Sequence, residues 1–279
     1  MSAPAFGESS MVLADVQRWL SDEQLSRIYT AAYWNDVDTE KSKEWWIEDG
    51  DYGRCLEYLH NSKLMLEYRQ AEEYIREIPG GALRVGDLAA GIGWTSALLS
   101  KLDKVAEVHA VDISVHRIER LFPHCVSMLD GVVTKIRRYL GSFYDLKLAD
   151  GYLDVVFLSQ AFHHAERPLH LMMECDRVLK PHGRLIMVGE HNIGALQLTR
   201  RFFKVLLQQR RVVADFRSLY PPDPVLGDHY YRHTDYRFLF EAMGYSVRHR
   251  VASTGQTIYV ADKCGRQPEA RNRAAGRPH

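Results

Sequence analysis

The 279-residue sequence lacks any apolar run approaching the length of a membrane span, and the longest near its start, Met11 to Ala14, is too short for the core of a secretory leader. It carries no net charge, because 36 Lys and Arg balance 36 Asp and Glu. Without a basic excess, a chain that grips nucleic acid through bulk charge is disfavoured. Cysteine is scarce and dispersed: Cys55, Cys125, Cys175 and Cys264 form no Cys-x-x-Cys pair. That excludes a disulfide framework or a zinc knuckle and leaves buried free thiols as the expectation. No internal repeat is evident. The expectation is a soluble, cytoplasmic protein with no integral membrane association, built as one large α/β domain or two small ones.

What is present is close to average globular usage, with 46% apolar and 26% charged residues, which removes bulk disorder and fibrous repeats. Helical periodicity predicts helices from about Val12 to Tyr33 and from about Tyr52 to Ile78, where Leu56, Leu59, Leu66 and Ile75 recur at three- and four-residue intervals. Between them, Asn35 to Asp51 reads as a polar connection, seven acidic residues against two basic, anchored by Trp45 and Trp46. Four of the five tryptophans lie in the first 46 residues. After the break at Pro79-Gly80-Gly81, strands at Leu83–Leu88, Val105–Val111, Lys135–Leu140, Leu153–Leu158 and Arg184–Val188 alternate with helices. This alternation predicts a parallel sheet covered on both faces. A helix over Asp235–Met243 and two strands, Tyr245–Val251 and Thr257–Ala261, close the pattern as an antiparallel hairpin.

The chemistry concentrates in Arg84-Val-Gly-Asp-Leu-Ala-Ala-Gly-Ile-Gly-Trp94, a strand that ends in a small-residue turn before a helix. Small residues let the backbone approach a ligand, and the helix start offers unpaired N–H groups. A nicotinamide fingerprint would need a third glycine where Ser96 stands. Asp112, at the end of the next strand, suits the two hydroxyls of a ribose, against the alternative of a solvated loop aspartate.

With these residues in place, the chain resembles class I S-adenosylmethionine-dependent methyltransferases of the small-molecule, type 11-like group. Asp87-Leu-Ala-Ala-Gly-Ile-Gly93 matches the family's D-x-G-x-G-x-G motif with Ala89 in the first glycine position, acceptable if its φ stays negative. Gly141-Ser142-Phe143, Asp154 to His164 and Cys175 to Leu185 resemble the family's later segments, so the likeness runs from about residue 82 to 190. It implies a Rossmann-like, mostly parallel seven-stranded sheet ending in the hairpin. Residues 1–78 would form a helical aromatic-rich cap, residues 79–263 the cofactor-binding domain with a lid inserted at 194–233, and residues 264–279 a disordered basic tail. It further implies S-adenosylmethionine as cofactor: Asp87, Ala89, Gly91 and Gly93 at its methionine part, Asp112 and Ile113 at the ribose, Ser142 and Phe143 at the adenine, and the Ser159 backbone at the amino group. Because a sulfonium favours aromatic faces, Tyr33, Trp34 and the Trp45-Trp46 pair are candidates to cap it, or else they simply anchor helices.

His163, His164, His191 and His229 fall in loops that converge at the C-terminal edge of such a sheet, and imidazole suits the deprotonation of a hydroxyl. The reading is therefore His-assisted O-methylation of a small molecule, natural product or sugar-like. N- or C-methylation, or a non-catalytic cofactor-binding protein, are the alternatives, and a nicotinamide oxidoreductase stands behind them. His229 and His233 stand four apart without a third ligand, so no metal is expected. The segment Ala195–Val213 has five basic residues and an apolar side. It reads as a solvated helix face, a phosphate site or a peripheral membrane surface. No nucleic-acid partner is expected, and a homodimer is admitted.

Overall fold

The chain, described here from a computed structural model, is defined over residues 13–31, 36–210, 212–213, 215–223, 227–252 and 255–264. Its strands are β1 (Gln17–Arg18), β2 (Leu83–Leu88), β3 (Val105–Asp112), β4 (Ile136–Leu140), β5 (Leu153–Ser159), β6 (Leu179–Glu190), β7 (Tyr245–Val251) and β8 (Thr257–Lys263). The helices are α1 (Asp22–Ala31), α2 (Val37–Glu40), α3 (Tyr52–Asn61), α4 (Leu64–Arg76), α5 (Trp94–Ser100), α6 (Phe122–Met128), α7 (Pro168–Val178), α8 (Ala195–Gln209), α9 (Phe216–Leu219) and α10 (His233–Ala242). The strands form one sheet in the order β1-β4-β3-β2-β5-β6-β8-β7. Pairings from β1 through β6 are parallel, and β8 runs antiparallel to both β6 and β7. The chain winds outward from β2 to β4 and then returns to place β5 on the other side of β2. That reversal opens a crevice at the carboxyl ends of the strands.

Period-two alternation explains why the strands are apolar throughout. Val85, Val155, Phe157 and Ile186 belong to one core, and their neighbours Leu88, Val156, Leu158 and Met187 to the other. Leu59, Tyr68, Ala71 and Ile75 of α3 and α4 join the first core, while Leu171 and Met172 of α7 and Tyr236 and Phe240 of α10 join the second.

Several expectations change. The sheet has eight strands rather than seven, because Gln17–Arg18, in a stretch expected to be helical, pairs parallel with Tyr139–Leu140. Trp19 fastens this edge by stacking on Tyr139 at 4.2 Å between ring centroids. The long helix expected from Tyr52 is two helices, broken where Lys63 takes a left-handed φ of 62°. The helix after β3 opens as a π-helical turn over Arg117–Leu121, just ahead of Pro123, which has no N–H to donate. In the polar connection, one acidic residue is not on the surface: Glu40 is 0% exposed, and Trp46 and Ile47 are buried with it. The Glu40 carboxylate accepts from His116 Nε2 at 2.6 Å and from both Arg117 Nε and an Arg117 terminal nitrogen. Burial alone would raise this carboxyl, but His116 and Arg117 hold it below its usual range. Cys55, Cys125 and Cys175 are buried free thiols, whereas Cys264 is exposed. The predicted tail beyond Cys264 lies outside the described residues. Among the described residues, no helix is long and apolar enough to cross a membrane.

Candidate active site

The carboxyl ends of β2, β3, β5 and β6 face a cavity of about 1150 Å³. One wall is the turn after β2, where Ala89, Gly91 and Gly93 have φ values of 56°, 56° and 86°. Ala89 therefore does not keep the negative φ expected of it. An L-residue in this region costs roughly 1–2 kcal/mol, which the surrounding turn sustains. The Asp112 carboxylate locks the turn to the end of β3: its Oδ2 accepts from the Gly91 N–H and its Oδ1 from the Ser114 N–H, both at 2.7 Å. Burial raises the Asp112 carboxyl, with Arg117 opposing the rise. Ala89, Gly91, Asp112, Ile113, Ser142 and Phe143 all line the cavity, as does Ser159, whose hydroxyl is buried with no hydrogen-bond partner.

Asp87 and Gly93 stand behind this wall rather than in it. Asp87 is buried and accepts from the Thr95 and Ser96 hydroxyls at 2.6 and 2.5 Å, which pins the first turn of α5 to β2. Burial pushes its carboxyl up to about 6, against the two hydroxyl bonds. At Gly93 a Cβ would lie 2.4 Å from the Phe122 ring, so this glycine serves close packing of the turn on α6. Of the aromatic candidates, Trp45 reaches the cavity beside Tyr58 and Trp94. Trp46 turns into the core against His116, and Tyr33 and Trp34 lie outside the described residues.

The other wall holds the histidines. His163, His164, His191 and His229 all line the cavity. His163 Nδ1 is 3.0 Å from Glu190 Oε2, and Glu190 is fully buried, held by the Phe162 N–H at 3.1 Å and the Tyr236 hydroxyl at 3.3 Å. Burial opposes a charge on His163, but the Glu190 carboxylate outweighs it and lifts the imidazole above its usual range. The same pairing holds Glu190 below its usual range despite its burial. His164 Nδ1 lies 3.0 Å from Asp228 Oδ1, and His191 Nε2 lies 3.7 Å from Asp228 Oδ2. Burial and the neighbouring His163 depress both His164 and His191. His229 donates its backbone N–H to the His163 carbonyl at 2.7 Å, which ties the segment before α10 to the turn after β5.

His233 is elsewhere. It opens α10 and packs on His249 and Tyr259, so His229 precedes the helix and the two imidazoles are not a helical pair. In sequence Glu190 stands beside His191 and Asp228 beside His229, whereas the fold sets Glu190 against His163 and Asp228 against His164 and His191. Glu190 carries a signal of the kind that marked Asp112, an acidic residue at a parallel strand end. Asp228 carries none, because the path of the chain between α9 and α10 is not written in local periodicity. Also missed was Gln160, whose φ of 50° places it against Gly189, where a Cβ would meet the Gln160 Cγ at 2.6 Å.

Residues 86–187 match the family model described as a methyltransferase domain. Over 129 residues the chain is 34% identical to a malonyl-[acyl-carrier protein] O-methyltransferase of Methylococcus capsulatus, covering 46% of this chain and 45% of that protein. Over 155 residues it is 30% identical to the mitochondrial ubiquinone biosynthesis O-methyltransferase of Schizosaccharomyces pombe, covering 55% of this chain and 54% of that protein. The chain thus spans about half the length of these curated relatives. Its fold is shared with magnesium protoporphyrin IX methyltransferase from Synechocystis at a TM-score of 0.58 and 16% identity, over 87% of this chain and 100% of that one. Residues 86–187 thus match a methyltransferase domain, with the glycine turn and the carboxylate at the end of β3 inside it, set in a fold shared with a methyltransferase.

Proposed function

We propose that the protein is an enzyme that methylates a hydroxyl oxygen of a small molecule at the expense of S-adenosylmethionine. The observation that carries this reading is that one cavity holds both the cofactor-type wall and a cluster of imidazoles. The residues fit the cofactor: at Gly91 a Cβ would point into open space with nothing within 4 Å, so the bare backbone faces the cavity, and the Ser159 hydroxyl lacks a partner. Asp112 has lone pairs beyond the two N–H groups it holds, and these suit ribose hydroxyls. When bound, S-adenosylmethionine supplies an electrophilic methyl group on a cationic sulfur. Trp45, Tyr58 and Trp94 offer aromatic faces toward such a cation and exclude water around it.

The protein's remaining task is to position the acceptor and take its proton. His164 serves that role. It is 25% exposed, against 7% for His163, and Asp228 stands 3.0 Å from its Nδ1 to stabilise an imidazolium. Its depressed pKa keeps the ring neutral near pH 7, with a lone pair to receive a proton. The O-methyltransferase names of both relatives support oxygen as the accepting atom. Titration calorimetry with S-adenosylhomocysteine and with NAD(H), followed by labelled methyl transfer to hydroxyl, amine and carbon acceptors, tests the reading. Binding of the first ligand alone and transfer to a hydroxyl are expected. His164→Gln should keep cofactor affinity and lower turnover on the order of 10²-fold or more. Absence of S-adenosylhomocysteine binding would defeat the reading.

A further inference from the structure

Three ligand-type side chains converge on the histidine wall from three separate segments. His163 comes from the turn after β5, His191 from the end of β6 and Asp228 from the segment before α10. Each offers one nitrogen or oxygen, and these atoms all lie within 4.8 Å of one another. We propose that His163, His191 and Asp228 bind a divalent transition-metal ion whose open positions take oxygen atoms of the acceptor.

The hydrogen bonding favours an ion over a simple relay. His191 Nε2 faces the Asp228 carboxylate at 3.7 Å, too far for a hydrogen bond, and it is buried with no hydrogen-bond partner. The imidazole nitrogen and the carboxylate oxygen thus face each other without a hydrogen bond, at a separation that leaves room for a cation to draw both in. His163 has its Nδ1 on Glu190, which leaves its Nε2 as the free donor atom. A buried carboxylate behind a ligating imidazole, itself held by a backbone N–H and a tyrosine hydroxyl, is the usual outer support of a metal ligand: it fixes the tautomer and raises basicity.

Two imidazoles and one carboxylate select zinc, iron, cobalt or nickel over magnesium or calcium. Bonds of about 2.0–2.2 Å require the ligand atoms to close to roughly 3–3.5 Å, a contraction of about an ångström that side-chain rotation supplies. Three protein ligands leave positions open to the cavity. The acceptor class that fits is a hydroxyl beside a second oxygen, such as a vicinal diol, a catechol or a hydroxyl next to a carbonyl. This assignment of an acceptor rests on the methyl-transfer reading, whereas ion binding does not.

The 279-residue chain, free of any polyhistidine tag and stripped with a chelator, should be titrated with Zn²⁺ by calorimetry and with Co²⁺ by visible absorption. Saturable binding of one ion per chain is expected, with no heat from Mg²⁺. His191→Ala and Asp228→Ala should abolish it, and Glu190→Gln should weaken it about 10–100-fold. Thermal melts and S-adenosylhomocysteine affinity serve as controls that the variants are folded. No saturable binding, or equal binding in the two alanine variants, would overturn the proposal. Metal binding without S-adenosylhomocysteine binding would instead leave the ion site standing and remove the methyl-transfer reading.

Discussion

The two walls of the cavity are built on different principles. The cofactor wall is assembled from the turn after β2 and the end of β3, and it is tied together by a carboxylate on backbone N–H groups. Its left-handed φ values at Ala89 and Gly91, strained only at Ala89, are imposed by the adjoining strand and helix. The histidine wall gathers the turn after β5, the end of β6 and the segment before α10, and titratable side chains hold it together: His163 with Glu190, and Asp228 beside both His164 and His191. One wall is fixed by backbone geometry and the other by the ionisation of a few groups. The second should therefore answer to protons and cations through its imidazoles, and the first only to protons, through the buried carboxylates Asp87 and Asp112.

The largest expected effect comes from the joint that fastens the N-terminal segment to the cofactor wall. Glu40→Ala strips a carboxylate from buried His116 and Arg117, and Arg117 itself lines the cavity. A loss of about 3–5 kcal/mol in urea or thermal unfolding is expected, because uncompensated charge is left behind. A loss under 1 kcal/mol would mean that the segment is not anchored by charge.

Next comes a pair of glycines that separates packing from binding on the same turn. Gly93→Ala drives a methyl into the Phe122 ring at a φ of 86° and should destabilise by about 3 kcal/mol. Gly91→Ala meets no atom, so it should cost only about 1 kcal/mol in stability while it weakens S-adenosylhomocysteine affinity by filling the cradle. Reversal of that order would place the ligand on the other side of the turn.

Asp87 gives a pH test of the first wall. Its carboxyl sits at about 6 in the folded protein against an ordinary value of 3.8, so the folded state holds the proton more tightly than the unfolded chain does. Stability should then fall as pH rises through this interval and be level in this contribution above it. Asp87→Asn keeps an oxygen for Thr95 and Ser96 and removes the slope, for a gain on the order of 2–3 kcal/mol at pH 7. Denaturation midpoints measured from pH 4 to 8 would reveal an unchanged slope if Asp87 were not the group responsible. The smallest effect is Ala89→Gly. Relief of a left-handed alanine, less the added freedom of the unfolded chain, should raise stability by about 0.5 kcal/mol.

The legibility of the two walls in sequence follows the same division. Asp87, Gly91, Gly93 and Asp112 were readable because strand, turn and helix are near neighbours whose conformations depend on local residue types. Even there, sequence did not show that Asp87 and Gly93 work from behind the wall, since that depends on Thr95, Ser96 and Phe122. Glu40 looked like one more charge on a polar connection, because the partners that make its burial tolerable lie far along the chain. β1 was missed for a similar reason: two residues carry no periodicity, and their pairing with β4 belongs to the partner strand as much as to themselves.

By itself, the sequence determined the order of strands from Leu83 onward, the terminal hairpin and the small-residue turn, because backbone propensity and hydrophobic period act over short separations. It also supplied the histidines of the second wall as residue types at loop positions. Tertiary structure alone decided which carboxylate each histidine meets, with Glu190 behind His163 and Asp228 between His164 and His191. Those meetings depend on where the segment before α10 comes to rest against the strand ends, which is set by burial and charge compensation summed over the whole fold.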